Sequence, residues 1–331
     1  MVVTVLFVGA LVAFAVSQLN LSRVGHALIT ASPGWIVLAL VLMALSLVMR
    51  SISWHQVLRA ALPDTRIHWP AVVRATMIGV MGSAVFPGRI GEPSRVLVLT
   101  RRLEGPNRHL IPIIAGTVFS QTLINLLALG VLLAVTFTSV PIFQGHNAGI
   151  AIALGVPIAI AALVVAGPRV VARAEHARSP RIARSARSLT RLLHLARQGL
   201  VVFARPRHGL FAISAQMIAW ALQWLACYAV MLALGLQSQA GLIGAAAVLL
   251  AVNLSAILPA TPSNVGVFQA ACLVVLAAYG VSAGSGLAYG IILQAVEVVT
   301  ALALGVPALL GEGLRWSELR SSGASSADEG A

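Results

Sequence analysis

The sequence predicts an all-α, polytopic integral membrane protein with about six spanning helices and two inverted, broken or re-entrant helical hairpins. Three observations predict it. Of the 331 residues 59% are hydrophobic and 9% charged, whereas soluble domains carry about 25% charged residues. Apolar segments of about spanning length alternate with short polar connections. A five-residue pattern recurs, Ser83-Ala84-Val85-Phe86-Pro87 and Ser255-Ala256-Ile257-Leu258-Pro259, each closing an apolar stretch with a proline before a run of Gly, Pro and polar residues.

The apolar segments cover residues 2–18, 34–49, 71–86, 110–137, 148–167, 209–234, 241–258, 266–280 and 285–310. The first follows Met1 without a basic leader, which favours a spanning helix over a cleaved signal peptide despite Ala13-Phe14-Ala15. Orientation follows from the basic residues, all 22 of which are Arg, because Arg and Lys near helix ends stay cytoplasmic. Residues 168–208 hold ten Arg, 87–109 five and 50–70 three, and the tail holds Arg315 and Arg320. The connections 138–147, 235–240 and 281–284 hold none, and 19–33 holds only Arg23. The chain is therefore expected in the cell membrane with both termini cytoplasmic. A single transmembrane domain over 1–314, with a cytoplasmic Arg-rich loop at 168–208 and a polar tail at 315–331, completes the layout.

Segment 71–86 lies between two basic connections. If it crossed fully, the five-Arg and ten-Arg connections would both face outward. It is expected to enter and turn back, its irregular backbone buried in protein or lining a cavity. In "FPGRIGEPSR", Pro87 ends the incoming helix, Gly88 and Gly91 permit a tight turn and close backbone approach, and Pro93 suits the first turn of a helix over 92–100. Arg89, Glu92 and Arg95 follow at spacings of three, and a helix N-terminus beside two guanidiniums offers a seat for phosphate. The competing reading is an Arg89–Glu92 or Glu92–Arg95 ion pair that fixes the turn, with Arg95, Arg101 and Arg102 anchoring the hairpin at the cytoplasmic surface. Arg74, a charge inside the incoming arm, needs a polar partner or cavity.

The second break lies between two arginine-free connections, so its arms begin and end outside, either as a re-entrant hairpin or as two short spans. The two breaks thus enter from opposite faces, the arrangement that marks the midplane site of inverted-repeat transporters. Asn253, Ser255, Thr261, Ser263, Asn264 and Gln269 cluster at the second break, where capping of freed backbone and substrate binding compete.

Glu297 is the only acidic residue within an apolar span, with Gln294 at helical spacing, and is read either as a coupling residue or as a protonated packing residue. Gln121 and Asn125 share a helix face, as do Gln216 and Trp220, a pattern for interhelical hydrogen bonds. Trp35, Trp54, Trp69 and Trp316 are expected as interface anchors. Arg181, Arg184, Arg187 and Arg191 line one face of an amphipathic segment over 181–197, suited to anionic lipid of the inner leaflet. Cys227 and Cys272 read as buried packing thiols, and the eight His show no metal spacing. A pI of 11.7 without zinc-finger spacing or a stacking platform points to a membrane surface rather than nucleic acid.

The motifs Pro87-Gly88-Arg89-Ile90-Gly91-Glu92 with Arg95, and Leu258-Pro259 through Pro262 to Gly266-Val267-Phe268, resemble the transmembrane flippase-like domain of the lysylphosphatidylglycerol synthase group, which also occurs as stand-alone membrane proteins. The resemblance implies movement of an anionic, aminoacylated or polyprenyl-phosphate lipid between leaflets, with headgroup contacts at Arg89, Glu92 and Arg95. Where that family often carries Glu after the second motif's Gly, this chain has Gln269, which keeps hydrogen bonding and removes a charge. Only a short tail follows residue 310, so aminoacyl transfer is not expected, nor is a cofactor. The expected activity is lipid translocation by a non-enzyme, with a homo-oligomer or an unidentified partner enzyme both left open. A lipid-modifying membrane enzyme and a small-solute transporter are the alternatives.

Overall fold

The computed structural model describes residues 29–85, 91–103, 110–139, 155, 205–256 and 264–311. Among them are eight helices and no strand. They are α1 (Pro33–Ala61), α2 (Trp69–Val85), α3 (Gly91–Arg102), α4 (Ile111–Ser139), α5 (Pro206–Ala233), α6 (Gly241–Ser255), α7 (Val267–Ala278) and α8 (Ala283–Gly311). The segments 2–18 and 148–167 (apart from Gly155), the amphipathic stretch 181–197, most of the loop 168–208 and the boundary at 314–315 lie outside the described residues.

Helices α1, α4, α5 and α8 are long and apolar enough to cross a membrane, and they match four of the spans read from the sequence. At 1.5 Å per residue, 28 to 29 residues extend about 42 Å, more than the ~30 Å hydrocarbon core. Their faces are arranged for lipid. Val37, Leu210, Phe211 and Leu310 are mostly exposed, while Ser51, Ser53, Thr117 and Ser120 are fully buried. A water-facing protein would bury the first group and expose the second.

The other four helices are short. Those of the second break, α6 and α7, have 15 and 12 residues, about 22 and 18 Å, so neither reaches across the core alone. Helices α2 and α3 flank the first break with 17 and 12 residues. Helix α3 begins at Gly91, one residue before the expected start, and runs to Arg102. Its last turn carries Arg101 and Arg102, favourable against the negative end of the helix dipole.

The contacts divide the chain into two compact units. One comprises Met1–Leu47, Met77–Gly91 and Trp220–Ala331, the other Val48–Thr76 and Glu92–Ala219. In the first, α6 packs on α7 and α7 on α8. Tyr289 of α8 donates to the Cys227 carbonyl at 2.9 Å, and Trp224 of α5 donates to the Leu242 carbonyl at 2.7 Å. Cys227 and Cys272 are buried free thiols of this core, as expected.

Small residues set how closely these helices approach. A Cβ at Gly290 of α8 would lie 3.2 Å from Gln269 Cα on α7, and one at Gly305 would lie 2.4 Å from Met81 Cβ on α2. The tightest approach is at the first break, where a Cβ on Gly91 would lie 1.8 Å from the Gly79 carbonyl oxygen and 2.2 Å from Ser83 Oγ. Helix α3 therefore starts against the backbone of α2, and the close approach expected of Gly91 is present.

The second unit takes its core from Trp54, Leu58, Leu99, Ile114 and Ile124, all nearly or fully buried. These come from α1, α3 and α4.

The Gly91 contact gives a test with a definite sign. Helix propensity alone favours Ala over Gly by about 1 kcal/mol, whereas overpacking costs about 1–3 kcal/mol. Gly91→Ala is therefore expected to lower the unfolding temperature in detergent, while Gly34→Ala, where nothing lies within 4 Å of the added Cβ, leaves it unchanged or higher. Equal stability of the two variants would refute the close approach.

Candidate functional site

The two breaks carry different chemistry. At the first, α3 presents Arg95 one turn from its start, and the residue is 8% exposed. Its Nη1 donates to Gln121 Oε1 of α4 at 2.7 Å. The guanidinium carbon lies 4.8 Å from the centroid of the Trp54 ring of α1, a cation–π distance. Gln121 Nε2 in turn donates to the Arg50 carbonyl at 3.1 Å, and Trp54 Nε1 donates to Thr117 Oγ1 at 3.1 Å. The Thr117 hydroxyl in turn donates to the Ile114 carbonyl at 2.6 Å.

Helical spacing explains why these residues converge. Arg50 and Trp54 stand one turn apart on α1, and Thr117, Gln121 and Asn125 make a stripe at every fourth residue of α4. The same stripe reaches α5, where Gln216 Nε2 donates to Asn125 Oδ1 at 3.0 Å, and Ser53 donates to the Ala212 carbonyl at 2.9 Å. Neither Gln121 nor Trp54 is charged, so these two contacts orient the Arg95 guanidinium without neutralising it.

The expectation for Trp54 is corrected here. It is fully buried rather than at an interface, because its ring is the surface on which Arg95 rests, whereas Trp35 and Trp69 are exposed as anchors would be. Thr117 escaped the sequence reading, although its position one turn before Gln121 was the signal. Arg74 sits half-buried on α2. Arg89 and the side chain of Glu92 lie outside the described residues, with the backbone of Glu92 in the first turn of α3.

The second break is neutral and largely self-satisfied. Asn264 has φ 56° and Gly266 φ 88°, both in the left-handed region that Asn and Gly tolerate best. Asn264 Nδ2 donates to Ser255 Oγ at 3.1 Å, tying the end of α6 to the approach to α7. Ser255 donates to the Val252 carbonyl at 2.8 Å, and Asn253 to the Leu249 carbonyl at 2.8 Å. Gln269 Oε1 accepts the Gly266 N–H at 2.7 Å, half of a capping box, and its Nε2 donates to Gln294 Oε1 of α8. Asn264 Oδ1 is buried without a hydrogen-bond partner, so one acceptor at this break is not consumed by capping.

Glu297 is half-buried on α8, three residues beyond Gln294. Thr261 and Ser263 lie outside the described residues. Among the described residues no His, Cys, Asp and Glu cluster is placed to hold a metal ion.

The model of the lysylphosphatidylglycerol synthase TM region matches residues 1–305, and the chain belongs to that family. No curated protein matches the sequence.

The Arg95 contacts predict an order of stabilities. Interhelical hydrogen bonds between neutral groups in membranes average about 0.6 kcal/mol, while bonds to a charged group reach about 1.5–3 kcal/mol. Gln121→Leu, which removes the bond from Arg95, is expected to destabilise the protein by at least about 1 kcal/mol more than Gln216→Leu, which breaks only the neutral pair with Asn125. Denaturant unfolding of both variants in the same detergent measures the difference.

Proposed function

We propose that this member of the lysylphosphatidylglycerol synthase TM family moves a phosphate-bearing amphiphilic lipid between the leaflets of the cell membrane. The carrying observation is Arg95, a guanidinium nine-tenths buried at a helix break and oriented by two uncharged groups. Charges placed among spanning helices are costly and mark substrate pathways. A guanidinium fork is suited to the oxygens of a phosphodiester.

In this reading the headgroup is taken at the first break by Arg95 together with Arg89, Glu92 and Arg74, while acyl or prenyl chains stay in lipid. The N-terminal turn of α3 adds backbone N–H donors to the same end. Asn253, Thr261, Ser263, Asn264 and Gln269 at the second break contribute hydrogen bonds without charge. Glu297 is the residue for coupling to an ion or proton. The lipid leaves chemically unchanged, so the protein acts as a transporter rather than an enzyme.

Purified protein reconstituted in vesicles with fluorescent phosphatidylglycerol tests the reading through leaflet-selective quenching. Arg95→Gln and Arg89→Ala are each expected to slow transfer by about tenfold or more, the loss of one charge-assisted contact. Transfer at the unaltered rate in both variants would sink the site. Conversion of the lipid in detergent, where no leaflets exist, would replace transport with enzymatic chemistry.

A further inference from the structure

The second unit contains a cavity of about 580 Å³ that shares no residue with the first break. Its arginines and histidines come from three stretches of chain. His55 and Arg59 lie at the end of α1, Arg66 and His68 in the following connection, and Arg205 and His208 at the start of α5. Among the described residues no Asp or Glu lines it, and Asp64, the acidic residue of the same connection, is exposed outside the lining.

Two of the imidazoles are fixed by partners. A His55 ring nitrogen lies 3.3 Å from the Ile67 carbonyl, and His208 Nδ1 lies 2.9 Å from Gln56 Oε1. Leu62 and Ile67 add apolar surface to the lining.

Interface-anchoring arginines diverge over an outer surface. Here Arg59, Arg66 and Arg205 line one concavity, the third more than a hundred residues along the chain from the other two. Like charges gathered in this way repel each other, and an anion among them removes that repulsion while low-dielectric walls focus the field. The volume falls within the range of small-ligand sites, about 300–1,000 Å³.

We propose that this cavity is a second anion site, which takes a phosphate group from an anionic lipid headgroup or from a soluble phosphate. The proposal concerns binding alone and does not rest on lipid translocation. Both sources offer the tetrahedral oxygens that paired arginines bind bidentately.

The test is calorimetric titration of the full chain in detergent with two probes, inorganic pyrophosphate and dihexanoyl phosphatidylglycerol. The Arg59→Gln/Arg66→Gln double variant and, separately, Arg205→Gln are expected to weaken binding by about tenfold or more. Arg207→Gln removes the same charge from an exposed neighbour outside the lining and is expected to weaken binding by less than about twofold. Binding of both probes with that pattern assigns recognition to the phosphate itself, and binding of the lipid alone assigns it to the headgroup. Absence of binding by either probe at about 1 mM, or an equal loss in Arg207→Gln, would overturn the proposal.

Discussion

The structure depends on one constraint: inside an apolar bundle no water is at hand, so every polar group must find its partner within the protein. Most hydroxyls meet it locally. Ser46, Thr76, Thr117 and Thr136 each return their proton to a carbonyl three or four residues back, at 2.6–2.8 Å. Such residues sit in apolar helices at little cost, and Thr117 also accepts the Trp54 N–H from α1. Side chains that a neighbouring carbonyl cannot satisfy must reach another helix. Gln121, Asn125, Gln216, Gln269 and Gln294 do this, and they are the groups that set which helices pair.

The same constraint explains the different chemistry of the two breaks. Where a helix stops inside the bundle, its end groups are exposed and must be capped. At the second break Gln269 caps through its oxygen and reaches α8 through its nitrogen, so one neutral side chain serves both ends. At the first break the short helix instead brings a charge, and Trp54 and Gln121 from two long helices hold it.

Periodicity carried the helices. The four long helices follow from runs of apolar residues, and both broken pairs follow from the Ser-Ala-aliphatic/aromatic-Pro pattern with its short arms. Gln121, Asn125 and Gln216 were legible as interhelical bonds because amides on apolar faces have few other outlets. Trp54 was not legible. A tryptophan near the end of an apolar run usually marks the interface, and only the convergence of α1, α3 and α4 turns its face toward Arg95. The cavity lined by Arg59, Arg66 and Arg205 was equally hidden, since it joins stretches that no local spacing relates. Local rules describe a residue's own helix well and its distant neighbours poorly.

Arg95 is held from two sides. Taking a guanidinium out of water costs several kcal/mol even after the surroundings relax. The Trp54 face and the Gln121 bond each return part of that cost, about 2 and about 1.5–3 kcal/mol. Arg101 and Arg102, seven residues or fewer along the same helix, are exposed and incur no such cost. One short helix thus carries two kinds of arginine, an exposed pair at its end, favourable against the helix dipole, and a buried one that ties α3 to α1 and α4.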